Sequence, residues 1–84
     1  MNRPDRDVLR QRLQQVFREV FDDDRIIIEE GTTAEDIDEW DSLTHITLIV
    51  AAEKEFGLRI NAAEVGKLAN VGALLDILVV RSTR

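Results

Sequence analysis

The sequence predicts an all-α domain, a four-helix bundle in which the third helix is short and a long loop joins the first two. Three segments carry apolar residues at the spacing of one helix face, which indicates amphipathic helices. Capping residues mark where helices begin, and a glycine marks where the second one ends. A connection of nineteen residues, 22–40, separates the first two helices.

The first helix is predicted over about residues 4–20. Pro4 stands near its start, where a missing N–H costs nothing, and Asp5 and Asp7 favour the positive end of the helix dipole. The predicted apolar stripe consists of Leu9, Leu13, Val16, Phe17 and Val20.

The connection after this helix is long for so small a chain, and such loops are usually structured and functional. The triple aspartate at 22–24 is interpreted as a solvated turn, because the segment lacks the alternating ligands and central glycine of a calcium loop. Four isoleucines are expected to anchor the loop to the core, namely Ile26, Ile27, Ile28 and Ile37.

The other three helices have clear boundaries. The second is predicted over Ser42–Phe56, with Gly57 at the C′ position. Asn61 and Glu64 form a capping box that opens the short third helix, and Asn70 can cap the last one. The core side of the second helix is predicted to contain Ile46, Leu48, Ile49, Ala52, Glu53 and Phe56. The stripe of the last helix consists of Val71, Leu74, Leu75, Leu78 and Val79.

Composition and charge exclude several classes of function. The chain has 84 residues, no cysteine and a formal net charge of -6. It therefore has neither disulfides nor a thiolate metal site, and its acidic surface disfavours nucleic acid and anionic membranes as partners. No apolar run approaches the roughly 18 residues of a membrane span, and residues 1–10 lack the apolar core of a signal peptide. We expect one monomeric, cytoplasmic domain over residues 1–84.

The segment EWDSLTHITL, residues 39–48, places a serine where the second helix begins. Ser42 could be a helix cap, a nucleophile or an anchor for an added group. A hydrolytic triad with His45 and Asp41 is disfavoured, because three groups within one helical turn rarely meet the required geometry. Asp41 can itself cap the helix, which leaves the Ser42 hydroxyl outward. A phosphate there would lie at the positive end of the helix dipole, so the site suits a phosphodiester-linked group without requiring one.

The segment DSLTHITLIVAAEKEFGLRI, residues 41–60, is similar to the central segment of acyl carrier proteins, in which Asp-Ser-Leu begins the second of four helices. The resemblance extends from about Phe17 to Leu78 and includes the loop length, the EFG end of helix two and the NVGALLDIL final helix. It implies a bundle of the acyl-carrier type, with Ser42 carrying a 4′-phosphopantetheine arm taken from coenzyme A. The arm's thiol would hold an acyl or aminoacyl thioester, which suits a chain with no cysteine and no catalytic residue.

The resemblance also implies partners: a phosphopantetheinyl transferase, an acyl-loading ligase, and synthase or acyltransferase enzymes. Asp41 and Leu43 match the positions beside the attachment serine, and Asp41 would help to present Ser42 to the transferase. Leu43 and Val50 match an apolar contact patch for partner enzymes, although a place at the edge of the core is an equal alternative. Glu53 is a further expected contact.

The second helix departs from that of fatty-acid carriers, which usually has several acids. The corresponding stretch here reads Thr44, His45, Thr47 and Lys54, which favours a specialised pathway. Trp40 is expected to wedge the loop against the bundle, and His45 to pack or hydrogen-bond. The predicted cargo pocket consists of Ile46, Phe56, Ile60, Leu68 and Leu75. The alternative function is a carrier-like interaction module that is never modified.

Overall fold

The helices follow the predicted order in the computed structural model, which describes residues 5–81. They are α1 (Arg6–Val20), α2 (Ser42–Phe56), α3 (Ala62–Val65) and α4 (Val71–Arg81). One turn of 3₁₀ helix, Ala34–Asp36, lies in the loop between α1 and α2. The described residues form no strand, which agrees with the predicted all-α fold. None of the helices within residues 5–81 is long and apolar enough to cross a membrane.

Local capping interactions set the ends of α1 and α2. The Asp5 carboxylate accepts a hydrogen bond from the backbone N–H of Asp7 at 2.9 Å, so α1 begins one residue after Asp5. The prediction for Pro4 lies outside the described residues. At the C-terminal end of α2, Gly57 adopts a φ of 66° and donates its N–H to the carbonyl of Glu53. This left-handed conformation is strained for residues with a Cβ atom, which explains why the helix stops at a glycine.

The two C-terminal helices begin at the predicted caps. The Asn61 side chain accepts from the N–H of Glu64 at 2.9 Å, and the Glu64 carboxylate accepts from the N–H of Asn61 at 3.1 Å. This reciprocal pair is the capping box of α3. Asn70 likewise accepts from the N–H of Ala73 at 2.9 Å, at the start of α4. Both predicted caps are confirmed.

A single cluster of buried side chains joins α1, α2, α4 and the long loop. The loop contributes Ile28 and Trp40, and α1 contributes the ring of Phe17. The helical members include Leu9, Leu13, Val16, Leu48, Ile49, Ala52, Val71, Leu74, Leu75 and Leu78. Val20 and Val79, which were predicted in the stripes, are only partly buried and pack against this cluster.

Two isoleucines predicted in the core are exposed. Ile27 is 68% exposed, whereas Ile28 is fully buried. The segment around them is not helical, so consecutive side chains face different directions and only some of the isoleucines can point inward. Ile46 is 56% exposed because residues of α2 lie about 100° apart around the axis, and the buried side is centred on Leu48, Ile49 and Ala52.

Side chains of α1 hold the backbone of the long loop. Gln14 accepts from the N–H of Ile28 at 2.9 Å, and Arg10 donates to the carbonyl of Ile28 at 3.1 Å. Arg18 donates to the carbonyl of Ile26 at 2.8 Å. These bonds satisfy backbone groups that no regular secondary structure would pair. They fix the path of the loop on the way to α2.

The middle of the loop is also tied to the start of α4. The N–H of Gly72 donates to the carbonyl of Glu30 at 2.8 Å, and a Cβ atom at Gly72 would lie 2.9 Å from that oxygen. Only glycine permits this approach without displacing the backbone. Arg6 pairs with the Glu30 carboxylate at 2.7 Å, and this hydrogen bond lowers the pKa of Glu30. The triple aspartate, residues 22–24, lies in a turn near the start of the loop, as predicted.

We expect Ile28→Val to lower the free energy of unfolding by about 0.5–1.5 kcal/mol, because it removes a methylene group from a fully buried site. Ile27→Val is the matched control and should change it by no more than about 0.5 kcal/mol, since Ile27 is mostly exposed. Urea denaturation of the two variants measures both values. Equal losses would contradict the inward and outward orientations of the two side chains.

Candidate functional site

Asp41 caps α2 with its side chain. Its carboxylate accepts from the N–H groups of Leu43 and Thr44, each at 3.0 Å. The Thr44 hydroxyl accepts from the N–H of Asp41 at 2.7 Å and donates to the carbonyl of Glu39, also at 2.7 Å. The N–H of Thr44 favours the ionised carboxylate most strongly and lowers the pKa of Asp41. The predicted cap is confirmed.

Ser42 is the first residue of α2 and its side chain is exposed. Its hydroxyl makes no hydrogen bond to any of residues 5–81. Because the Asp41 carboxylate already accepts hydrogen bonds from the N–H groups of Leu43 and Thr44, the serine is not needed as a cap. The hydroxyl is therefore accessible to a reagent or enzyme from solvent, at the positive end of a helix dipole.

Trp40 and His45 form a hydrogen-bonded pair of nearly parallel rings beside Ser42. The indole Nε1 of Trp40 donates to His45 Nδ1 at 3.0 Å, and the ring centroids lie 5.9 Å apart at an interplanar angle of 20°. Trp40 also meets the ring of Phe17 edge-to-face, with centroids 5.2 Å apart. It is only 8% exposed. The expectation that Trp40 wedges the loop against the bundle is confirmed.

Both nitrogens of His45 are engaged in these contacts. A neutral ring that accepts at Nδ1 carries its proton on Nε2, which lies 3.3 Å from the carbonyl oxygen of Val65. Neither nitrogen is left to accept a proton from Ser42, and the Asp41 carboxylate is bonded to backbone N–H groups. A serine–histidine–aspartate triad is therefore excluded. His45 acts as a structural link between α2 and the end of α3.

A groove of about 540 Å³ lies beside Ser42, between the end of the loop, α2 and the segment that follows α3. Trp40 and His45 line it together with Val65, Leu68 and Ala69. Of the five predicted pocket residues, only Leu68 lines this groove; Ile46 is exposed, and Phe56, Ile60 and Leu75 are not among its lining residues. Val65 and Ala69 were not predicted, because only the folding of α3 brings them to this place.

Three exposed apolar side chains follow one face of α2 beyond Ser42. Leu43 is 80% exposed, Ile46 is 56% exposed and Val50 is 44% exposed. Their spacing of three and four residues brings them to one side of the helix, which we call the apolar stripe of α2. Glu53 accepts from the N–H of Ile60 at 2.8 Å and so fixes the connection between α2 and α3. The roles of Leu43, Val50 and Glu53 in partner contact stay predictions.

The acids near Ser42 differ in how their carboxylates are used. Asp36 bonds to Thr33 and closes the capping box of the 3₁₀ turn. Asp38 and Glu39 are exposed, and their carboxylates make no hydrogen bond or ion pair within residues 5–81. Glu55 lies at the other end of α2 and pairs with Arg12 at 3.1 Å. The charge available to a partner near Ser42 therefore lies at the end of the loop.

The described residues contain no group of three or more His, Cys, Asp or Glu side chains that could hold a metal ion.

Comparison with known proteins points to one family. The family described as "Phosphopantetheine attachment site" matches residues 11–78. The chain is also similar to the solution NMR structure of a holo acyl carrier protein from Geobacter metallireducens, with 46% sequence identity and a TM-score of 0.76. That match covers 81% of this chain and 78% of the other. No curated protein sequence matches this chain.

We expect Asp41→Ala to lower the melting temperature by roughly 4–8 °C at neutral pH, because it removes the cap of α2. Ser42→Ala is the control and should change it by no more than about 2 °C. The pKa of Asp41 lies below its usual value in the folded protein, so its contribution is present above the unfolded pKa and lost as the pH falls through the folded pKa. The difference between wild type and Asp41→Ala should therefore shrink in acid. Thermal melts followed by circular dichroism measure this, and a larger loss for Ser42→Ala would make the serine the cap.

Proposed function

The chain belongs to the acyl carrier protein family, non-catalytic carriers with a 4′-phosphopantetheine prosthetic group, and from this premise we propose that Ser42 is the attachment residue. One observation carries the proposal: the Ser42 hydroxyl is exposed and makes no hydrogen bond to the described residues, while Asp41 does the capping. A serine that is not needed for the fold can accept a bulky group without destabilising the helix it begins.

The surroundings of Ser42 fit the prosthetic group. A phosphodiester on its Oγ atom would lie at the start of α2, where the helix dipole favours negative charge. The groove beside Ser42 offers the rings of Trp40 and His45 and the apolar side chains of Val65 and Leu68 to the rest of the arm. When attached, the group supplies the thiol that this chain lacks, and cargo is held on it as a thioester.

The cargo in this proposal is an acyl or aminoacyl group that the carrier presents to the enzymes of a specialised biosynthetic pathway. The support is the composition of α2, which has no acidic residue from Ser42 to Ala52 and no basic residue there except His45. A carrier recognised mainly through charge along this helix would need acids there. The expected cytoplasmic location, the monomeric state and the single domain over residues 1–84 stay predictions.

Partner enzymes would dock on the apolar stripe of α2, formed by Leu43, Ile46 and Val50. These side chains are exposed next to Ser42 and have no role in the core. Asp38 and Glu39 at the end of the loop would attract basic surfaces of the phosphopantetheinyl transferase and of loading enzymes. Charge would act during approach, and the apolar stripe would act in the bound complex.

Incubation with coenzyme A and a broad-specificity phosphopantetheinyl transferase should add the mass of one phosphopantetheinyl group to the wild-type protein. Ser42→Ala should gain none, because it lacks the hydroxyl that forms the phosphodiester. Intact-protein mass spectrometry measures both, and circular dichroism checks that the variant is folded. Labelling of Ser42→Ala would contradict the assignment, and failure of several transferases to label the wild type would favour the unmodified interaction module.

We expect Val50→Asp to reduce the initial rate of Ser42 labelling without unfolding the protein, because Val50 is exposed on the proposed docking surface. Val8→Asp is the matched control, since Val8 is 49% exposed but lies on α1.

Raising the salt concentration should slow the labelling of Ser42, because salt screens the attraction between the acids of the loop and a basic partner surface. The Debye length is only about 10 Å at 0.1 M.

Equal rates for the two variants would remove the apolar stripe from the interface. A rate that does not change with salt would remove the contribution of Asp38 and Glu39. An unfolded Val50→Asp protein would mean that Val50 is needed in the core.

A further inference from the structure

We infer that His45 is a positioning residue for the modification of Ser42 and that only its neutral ring can fill this role, so that presentation of the serine depends on pH. The inference rests on the proposed function, because Ser42 is the residue that reacts. It is drawn from the two hydrogen bonds of the His45 ring and from the place of Trp40, two residues before the serine.

The bond between Trp40 and His45 requires a ring with no proton on Nδ1. The indole N–H of Trp40 can only donate, and it lies 3.0 Å from that nitrogen. The other ring nitrogen, Nε2, lies 3.3 Å from the carbonyl oxygen of Val65, which can only accept. One neutral tautomer satisfies both contacts. An imidazolium ring carries a proton on each nitrogen, so protonation would set two donors against each other and break the bond to Trp40.

Trp40 has little room to find another partner. It is only 8% exposed, and its ring meets Phe17 edge-to-face with centroids 5.2 Å apart. A buried donor without a partner is costly, so after protonation either the indole must turn toward water or the His45 ring must leave. The first movement gives up packing against Phe17, and the second gives up the contact with Val65. Both loosen the junction between the loop and α2.

This junction contains Ser42. The backbone N–H of Trp40 donates to the carbonyl of Ile37 at 3.0 Å, before the serine, and the backbone N–H of His45 donates to the carbonyl of Asp41 at 2.8 Å. The side chains of Trp40 and His45 then join the two ends of this short segment. His45 therefore acts on the serine through Trp40 and the backbone, not by contact with the reacting oxygen.

The charged groups around His45 keep their charge near neutral pH. Of the other residues that line the groove, Asp41 alone is charged, and a hydrogen bond from a backbone N–H lowers its pKa. At the end of α3, Glu64 pairs with Arg81, which lowers the pKa of Glu64, and Lys67 is exposed nearby. The chain has one histidine and no cysteine, so His45 is the side chain expected to change charge between pH 7.0 and 5.5.

The expected effect has a sign that net charge alone cannot produce. A proton on His45 makes the formal net charge of -6 less negative, and weaker self-repulsion by itself favours the folded state. Loss of the bond to Trp40 acts in the opposite direction. The contribution of this bond is present while the ring is neutral and is lost as the pH falls and the ring gains a proton.

The stability test compares wild type with His45→Asn at pH 7.0 and 5.5. Asparagine places an acceptor oxygen near the position of Nδ1 and does not titrate. Between the two pH values, the melting temperature of wild type should fall by roughly 4–8 °C more than that of the variant. The indole N–H signal of Trp40, the only tryptophan, should shift in the NMR spectrum of wild type and exchange faster with water at pH 5.5.

The positioning test measures the initial rate of Ser42 labelling at the same two pH values, with coenzyme A and one transferase. Dividing the wild-type rate by the His45→Asn rate at each pH cancels the pH dependence of the transferase itself. This ratio should fall about fivefold from pH 7.0 to 5.5, the change in an equilibrium constant that loss of one hydrogen bond produces. A purely structural role would change the melting temperature and leave the ratio constant.

A constant ratio in proteins that are both labelled would therefore overturn the inference and leave the proposed function intact. If His45→Asn does not fold, the wild-type NMR spectrum decides, and an indole N–H signal that is the same at pH 7.0 and 5.5 would overturn the inference. A wild-type protein that gains no mass at either pH would overturn the proposed function, and the positioning role with it.

Discussion

The indole N–H of Trp40 donates to His45, and the geometry around Ser42 depends on that hydrogen bond. A tryptophan buried to this extent needs a partner for its N–H, since an unpaired buried donor is costly. His45 accepts from the indole on one side and faces Val65 on the other, so the loop, α2 and α3 are tied together at one residue. The start of α2 is held in place by the loop that precedes it.

Asp41 and Ser42 divide two tasks that a single residue could not perform together. The aspartate accepts from two backbone N–H groups and is favoured there in its ionised form, as its lowered pKa indicates. The Ser42 hydroxyl makes no hydrogen bond within residues 5–81, so the proposed modification of its oxygen would break none. Stability of the helix and availability of the hydroxyl are thus compatible, because they reside in adjacent side chains.

The surface around the site combines apolar contact with local charge. The apolar stripe of α2 lies beyond Ser42, and the exposed carboxylates of Asp38 and Glu39 precede it. Exposed side chains such as Leu43 contribute nothing to the core, and a partner that covered them would gain apolar burial. In the proposed interface, long-range attraction and short-range contact would therefore come from different segments, the loop and the helix.

Local signals in the sequence were sufficient for the helix boundaries and for the resemblance to the family. Asp41, Gly57 and Asn61 act within a few residues of themselves, so their roles follow from their neighbours in the chain. The Asp-Ser-Leu segment, in combination with the loop length, the EFG end of α2 and the NVGALLDIL helix, likewise predicted the family from the order of residues alone. This is why α2 begins and ends at the predicted residues.

Only the tertiary structure decided which apolar residues are buried and what forms the groove. Ile27 and Ile46 have the same apolar character as Ile28 and Ile49, yet they face solvent because the direction of the chain and the position of the neighbouring helices select the buried side. The contact of His45 with Val65 joins residues far apart in sequence, and no spacing rule specifies it. Nor does any local pattern place Glu30 beside Gly72, where the close approach admits only a glycine. These features depend on distances between separate elements, which are set when the elements pack together.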